Sequence, residues 1–208
     1  MKTLKKSLIW TCLLTTVLLL NSCNPIEDDS NSSSLLIIES ILGQNAEGEE
    51  ANFLQSDVLK ADSVFADTAM ASVRAATLDP VPRLGSSQYN DIMVTRYTVS
   101  YSRTDGKNTP GIDVPYPFEG SLSVLAKVGS STSFNFIVVR EVAKLEPPLV
   151  HLATGRAEGV LTCTAKIDFY GHDLTNKKVK ATGYLTIHFA NYVDEGSSSA
   201  AGEILAGK

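Results

Sequence analysis

The side chains best suited to nucleophilic, acid–base or metal chemistry are few and scattered in this 208-residue chain. The histidines are His151, His172 and His188, and the cysteines are Cys12, Cys23 and Cys163. A hydrolase of the nucleophile-elbow type needs its serine in G-x-S-x-G, which does not occur. Neither does H-E-x-x-H, and the cysteines are too few for a zinc cluster. His172 and Asp173 are adjacent and could serve as a base and its orienter, but a loop placement makes them a solvated turn. Gly202 to Lys208 has phosphate-loop spacing without the Ser or Thr that should follow the lysine.

The best loop for a cation is Asp105-Gly106-Lys107-Asn108 with Asp113 nearby in sequence. Calcium asks for six to eight crowded oxygens, whereas Lys107 sits among these and no D-x-D-x-D-G occurs. A hairpin turn is the expected role, with calcium the rival. Tyr97, Tyr101, Tyr116, Tyr170 and Tyr184 could form an aromatic surface for glycan, although strand aromatics more often pack in cores or across strands. The expectation is therefore no catalytic, cofactor-binding or metal-binding residue, and a protein that is not an enzyme.

The elements that would position such groups read as strands. Leu35–Leu42 is a short Ile-rich run closed by Gly43, followed by an acidic loop over Gln44–Ala51. Gln55–Leu59 and Ala69–Leu78 are expected strands, with turn chemistry at Asp62-Ser63 and Asp67-Thr68. Ile92–Arg103 is dense in β-branched and aromatic residues, and Met93, Tyr97, Val99 and Tyr101 share one parity and so one face. The stretch Thr109–Phe118 holds three prolines and cannot be a central strand. Ser121–Val128 and Phe134–Leu145 follow as strands, the second stopped by Glu146-Pro147-Pro148.

Val160–Tyr170 and Val179–Phe189 alternate apolar and polar residues, which predicts an antiparallel pair with one face buried and one wet. Ile167, Leu185 and Ile187 belong to the inward set and Thr186 to the outward one. About eight strands with no long helix predict an all-β antiparallel β-sandwich. In strand count and patterning it is similar to immunoglobulin-like and fibronectin-like modules, without the cysteine pair and core tryptophan of antibody domains. A closed β-barrel around a lipid or small-molecule cavity is the alternative.

Ahead of these strands, Lys2, Lys5 and Lys6 precede the apolar run Leu8–Leu20, which is too short to span a bilayer and fits a secretory signal. The run ends in Leu20-Asn21-Ser22-Cys23. This resembles the lipobox of bacterial lipoproteins, with Asn21 a departure from the usual small or apolar residue. The resemblance implies cleavage before Cys23 and acylation of that cysteine. Asn24 stands where many inner-membrane lipoproteins carry the retaining aspartate, and Glu27, Asp28 and Asp29 resemble an acidic export signal. The implied place is the bacterial cell envelope, at the outer membrane.

The expected organisation is then 1–22 signal peptide, 23–34 lipidated flexible tether, 35–193 β-sandwich and 194–208 flexible tail. Loss of the leader removes three lysines and no acid, taking the formal charge from −5 to −8. An acidic chain lacks the basic surface that nucleic-acid binding requires. The leader also holds Cys12 and Trp10, the only tryptophan. With Cys23 used for lipid, Cys163 has no partner for an internal disulfide and reads as a buried thiol. The functional expectation is a membrane-anchored envelope lipoprotein acting as a binding or structural module, its partner an envelope protein or glycan. A lipid or small-molecule carrier is the alternative, and a small envelope hydrolase a further one.

Overall fold

The computed structural model describes residues 32–60, 62–79, 85, 87–157 and 159–192. The leader, Cys23, most of the tether and the 194–208 tail lie outside the described residues. In chain order the elements are β1 (Ser34–Gln44), β2 (Glu50–Ala51), β3 (Phe53–Asp57), β4 (Asp67–Thr77), a 3-10 turn (Gln88–Asn90), β5 (Ile92–Ser102), β6 (Phe118–Ala126), β7 (Thr132–Val139), α1 (Glu141–Lys144), α2 (Leu149–Ala153), β8 (Leu161–Asp173) and β9 (Lys178–Ala190). They form two sheets, ordered β2-β1-β4-β7 and β3-β9-β8-β5-β6, which pack face to face. The molecule is an all-β sandwich. Among these strands every pairing is antiparallel except β3 with β9, which is parallel and departs from the expected uniform pattern.

The two sheets supply complementary shapes. The inward positions of β4 are small, Ala69, Ala71, Val73 and Ala75. Larger groups fill the space from β8 and β9, among them Ile167, Phe169, Leu185, Ile187 and Phe189, all buried. Phe134 and Phe136 of β7 meet Phe169 edge-on, with ring centroids 5.6 and 5.3 Å apart, and Tyr97 joins Phe136 at 5.2 Å. Edge-to-face contacts of this kind suit the charge distribution of aromatic rings. The centre between the sheets is packed with side chains rather than hollow, which favours the sandwich over the barrel with a cavity.

The last hairpin pairs as its alternation requires, Cys163 opposite Ile187 and Ala165 opposite Leu185. Its loop turns at Asn176, whose positive φ of 68° suits a short amide side chain.

Asp67-Thr68, expected as a turn, instead opens β4 and pairs with β7. Two further expectations change, each for a local backbone reason. In β5 the pairing skips Thr95, so Val94 faces Gly171 and Arg96 faces Tyr170. This bulge inserts one residue and reverses the parity. Ile92 and Val94 are therefore buried together with Tyr97, Val99 and Tyr101, and Met93 belongs to the opposite set. Gly171 permits it, because a Cβ there would lie 2.3 Å from the Met93 carbonyl oxygen. The run Phe134–Leu145 is not one strand either. β7 stops at Val139, and Glu141–Lys144 coils into α1, which buries Ala143 and Lys144. Where β7 skips Val138 in its pairing with β4, a core tyrosine takes up the free carbonyl: Tyr101 donates to the Val138 oxygen at 2.7 Å.

Candidate functional site

Antiparallel strands put alternate loops at opposite ends. One pole gathers the start of β1, the end of β4, the 3-10 turn and the β8–β9 loop. The other gathers the segments 45–49, 58–60 and 62–66, both helices and Ala190–Tyr192. A 13-residue strand such as β9 separates the poles by roughly 40 Å.

At the second pole lies a cleft of about 850 Å3, lined by residues that include Gln44, Gln55, Lys60, Phe65, Asp67 and Tyr192. Its floor is a buried ion pair. Lys144, at the end of α1, is 2% exposed. Its Nζ donates to the Asp57 carbonyl at 2.7 Å and to Asp67 Oδ1 at 3.0 Å, and lies 2.9 Å from Asp67 Oδ2. Ser56 Oγ donates to the same carboxylate at 2.6 Å. The Asp57 side chain accepts from the Leu59 and Tyr192 N–H groups. Burial raises the Asp67 carboxyl above its ordinary range, with the Lys144 charge and the Ser56 hydroxyl pulling the other way. Lys144 and Asp67 are thus each held by partners within the protein. The walls are amides, hydroxyls and carboxylates, with Phe65 on one side. Val142 on α1 and Leu145 just after it are exposed, giving the pole an apolar margin. The arrangement suits recognition of a polar partner by hydrogen bonds and a few apolar contacts.

Sequence reading missed this floor. Lys144 closes an apolar run, and such a lysine is indistinguishable from a strand-end charge until α1 turns it inward. Asp57 and Asp67 border loops where carboxylates usually meet water.

The side chains singled out from sequence do not converge. Among the described residues no group of three His, Cys, Asp or Glu could hold a metal ion. The Asp105 carboxylate accepts from the Lys107 N–H and the Arg103 guanidinium, and Asp113 accepts from the Thr109 N–H at 3.1 Å. Those oxygens serve their own loops, and Gly106 turns at φ 81°, as a tight reversal requires. His151 lies in α2 and His188 on the outward side of β9, bonded to the Thr162 hydroxyl at 3.0 Å. Cys163 is fully buried, and burial pushes its thiol up to about 11.

His172 and Asp173 are not the solvated loop pair expected from the sequence but the last two residues of β8, paired with Met93 and Ile92. The His172 ring bonds to the Asp173 backbone carbonyl, while the Asp173 carboxylate is buried. Its Oδ1 accepts from Thr175 N, Thr175 Oγ1 and Lys177 N at 2.9, 2.7 and 2.9 Å. Its Oδ2 accepts from Ser32 Oγ at 2.6 Å. Burial raises this carboxyl, but the four hydrogen bonds outweigh it and hold it below the ordinary range. Asp173 is thus a structural clasp at the first pole.

The five tyrosines are divided between environments. Tyr97 and Tyr101 are in the core, and Tyr116 and Tyr184 are exposed. Tyr170 lies on the outward face of the larger sheet, with the Arg96 guanidinium 3.9 Å and the Lys180 ammonium 5.2 Å from its ring centroid. Asp168 holds Lys180 at 3.1 Å and Lys166 at 3.5 Å on the same face. Cross-strand packing, not a shared glycan platform, accounts for Tyr170.

The fold and this geometry define an all-β sandwich with a polar cleft at one pole. Neither a protein-family model nor a curated protein matches the chain.

Proposed function

We propose that this chain is an envelope lipoprotein anchored through acyl chains on Cys23, presenting a β-sandwich that binds an envelope protein or glycan without catalysis. The observation that carries the reading is the clasp between Ser32 and Asp173. It fastens the chain arriving from the lipobox side to one pole, whereas the cleft opens at the other. A tethered receptor or adaptor needs that arrangement, since its ligand site must stand clear of the anchor. More than one acyl chain gives stable attachment, because each buried methylene adds about 0.8 kcal/mol.

The closed Lys144–Asp67 pair supports binding over hydrolysis, and the aromatic filling between the sheets supports a module over a carrier. Membrane fractionation with mass spectrometry of the mature N-terminus tests the anchor. Cys23 is expected to carry acyl mass, and Cys23→Ala to leave uncut precursor or released protein. A mature N-terminus elsewhere without acyl mass overturns it. For the binding half, envelope partners retained by the intact domain are expected to be lost on Lys60→Glu or Phe65→Ser at the cleft. Equal retention by all three proteins overturns the cleft assignment.

A further inference from the structure

The pole where the chain enters carries exposed apolar groups in a close ring. Leu35, Leu78, Tyr89 and Leu174 are 47%, 53%, 67% and 45% exposed. Hydrogen bonds beside them make them neighbours: Leu78 N donates to the Ser33 carbonyl, the Asn90 amide beside Tyr89 donates to the Ser33 and Ser34 hydroxyls, and Asp173 beside Leu174 holds Ser32. The ring therefore surrounds the point at which residue 31 joins the domain. Lys127 and Lys178 are exposed at the same pole.

The length of chain outside the fold limits what can cover this ring. Because Ser32 is clasped, the stretch between Cys23 and the described fold is residues 24–31. Even fully extended, eight residues span at most about 28 Å. That is less than the roughly 40 Å between the poles. A lipid anchor at Cys23 would hold the ring within reach of the bilayer at all times and leave the domain free to tilt. Apolar side chains with nearby ammonium groups match the headgroup–acyl boundary, where apolar burial and attraction to lipid phosphate act together.

We propose that this pole seats on the bilayer surface, with Leu35, Leu78, Tyr89 and Leu174 entering the headgroup–acyl boundary, so that the sandwich stands with its cleft outermost. The inference rests on the Cys23 anchor and adds an orientation to it. The anchor and the seating are separable by experiment. The core residues all lie between Leu36 and Ala190, so a chain of residues 23–208 retains the whole core. Its Cys23 thiol is coupled to maleimide-bearing phosphatidylethanolamine in phosphatidylcholine vesicles, while buried Cys163 stays unreacted.

With Trp10 gone, Tyr89→Trp, Leu174→Trp and Val142→Trp each place a single tryptophan, the last at the cleft pole. Brominated acyl chains are expected to quench positions 89 and 174 several-fold more than position 142, with a blue shift at the first two. Adding Leu78→Ser to the 89 and 174 reporters is expected to weaken that quenching. Equal quenching at all three positions, or none, overturns the seating. Acyl mass on native Cys23 without differential quenching rejects the seating alone, and absence of acyl mass rejects the anchor on which it rests.

Discussion

Ser32 Oγ donates a 2.6 Å hydrogen bond to Asp173 Oδ2 across 141 residues of sequence, joining the entry of the domain to its last hairpin. Ser32 Oγ also accepts from the Ser34 N–H at 2.9 Å, so the first residue of β1 is set by the same contact. The contact ties the start of β1 to the loop between β8 and β9.

This clasp predicts a defined loss in acid. Asp173 has its folded pKa held below the unfolded value, so its stabilisation is present above the ordinary carboxylate range of about 4 and is lost as pH falls through the lower folded value. Asp173→Asn is expected to cost about 1.5–3 kcal/mol near neutrality, because buried N–H and hydroxyl donors lose a charged acceptor. Its denaturant stability is expected to approach that of the parent as both are acidified below pH ~4. A constant gap between the two at every pH would show that charge is not what the site supplies.

The cleft floor predicts the opposite dependence once its cation is removed. Lys144→Met leaves the buried Asp67 carboxylate uncompensated and is expected to cost about 3–5 kcal/mol by urea unfolding at neutral pH. Burial already raises Asp67, and loss of Lys144 removes a lowering influence. A raised folded pKa stabilises below the unfolded value and loses that stabilisation as pH rises through the folded one. The variant is therefore expected to recover stability as pH falls from neutral toward about 4. Lys144→Met combined with Asp67→Leu is expected to lose less than the sum of the single changes.

The face assignment of β9 is tested by neighbours. Ile187 is fully buried between the sheets, whereas Thr186 is on the outward side. Ile187→Ala is expected to cost about 2–5 kcal/mol in denaturant unfolding. Thr186→Ala is expected to change stability by only about 0.5 kcal/mol.

In a chain that begins at Cys23, thiol chemistry separates the two cysteines. Burial pushes Cys163 up to about 11, so its thiolate is scarce near neutrality and its sulfur is enclosed. Maleimide at neutral pH is expected to add to the unacylated folded chain once, at Cys23, and to add twice after denaturation. Mass spectrometry reads the two states directly.

Alternation alone disclosed the last hairpin, since Leu161–Phe169 and Val179–Phe189 each hold a period of two with no skipped residue. The same rule failed at Met93 because the pairing of β5 jumps from Val94 to Arg96, and a bulge leaves no mark in a run where every residue favours a strand. It failed again at Leu145, where α1 is four residues long and too short to show a helical period. The parallel pairing of β3 with β9 was not legible either, because strands so distant in sequence meet only through the packing of both sheets.

The sequence by itself determined the fold class, because periodicity, turn residues and the absence of a long helical pattern are local properties that each segment carries alone. It also held every feature that points to a lipid anchor at Cys23. The tertiary structure alone decided which polar groups would be buried. Asp173 stands beside a histidine in sequence yet binds Ser32, and Lys144 sits at the end of an apolar run yet reaches Asp57 and Asp67. The cost of burying a charge is offset only by partners brought from distant strands, and that meeting exists only once both sheets have packed.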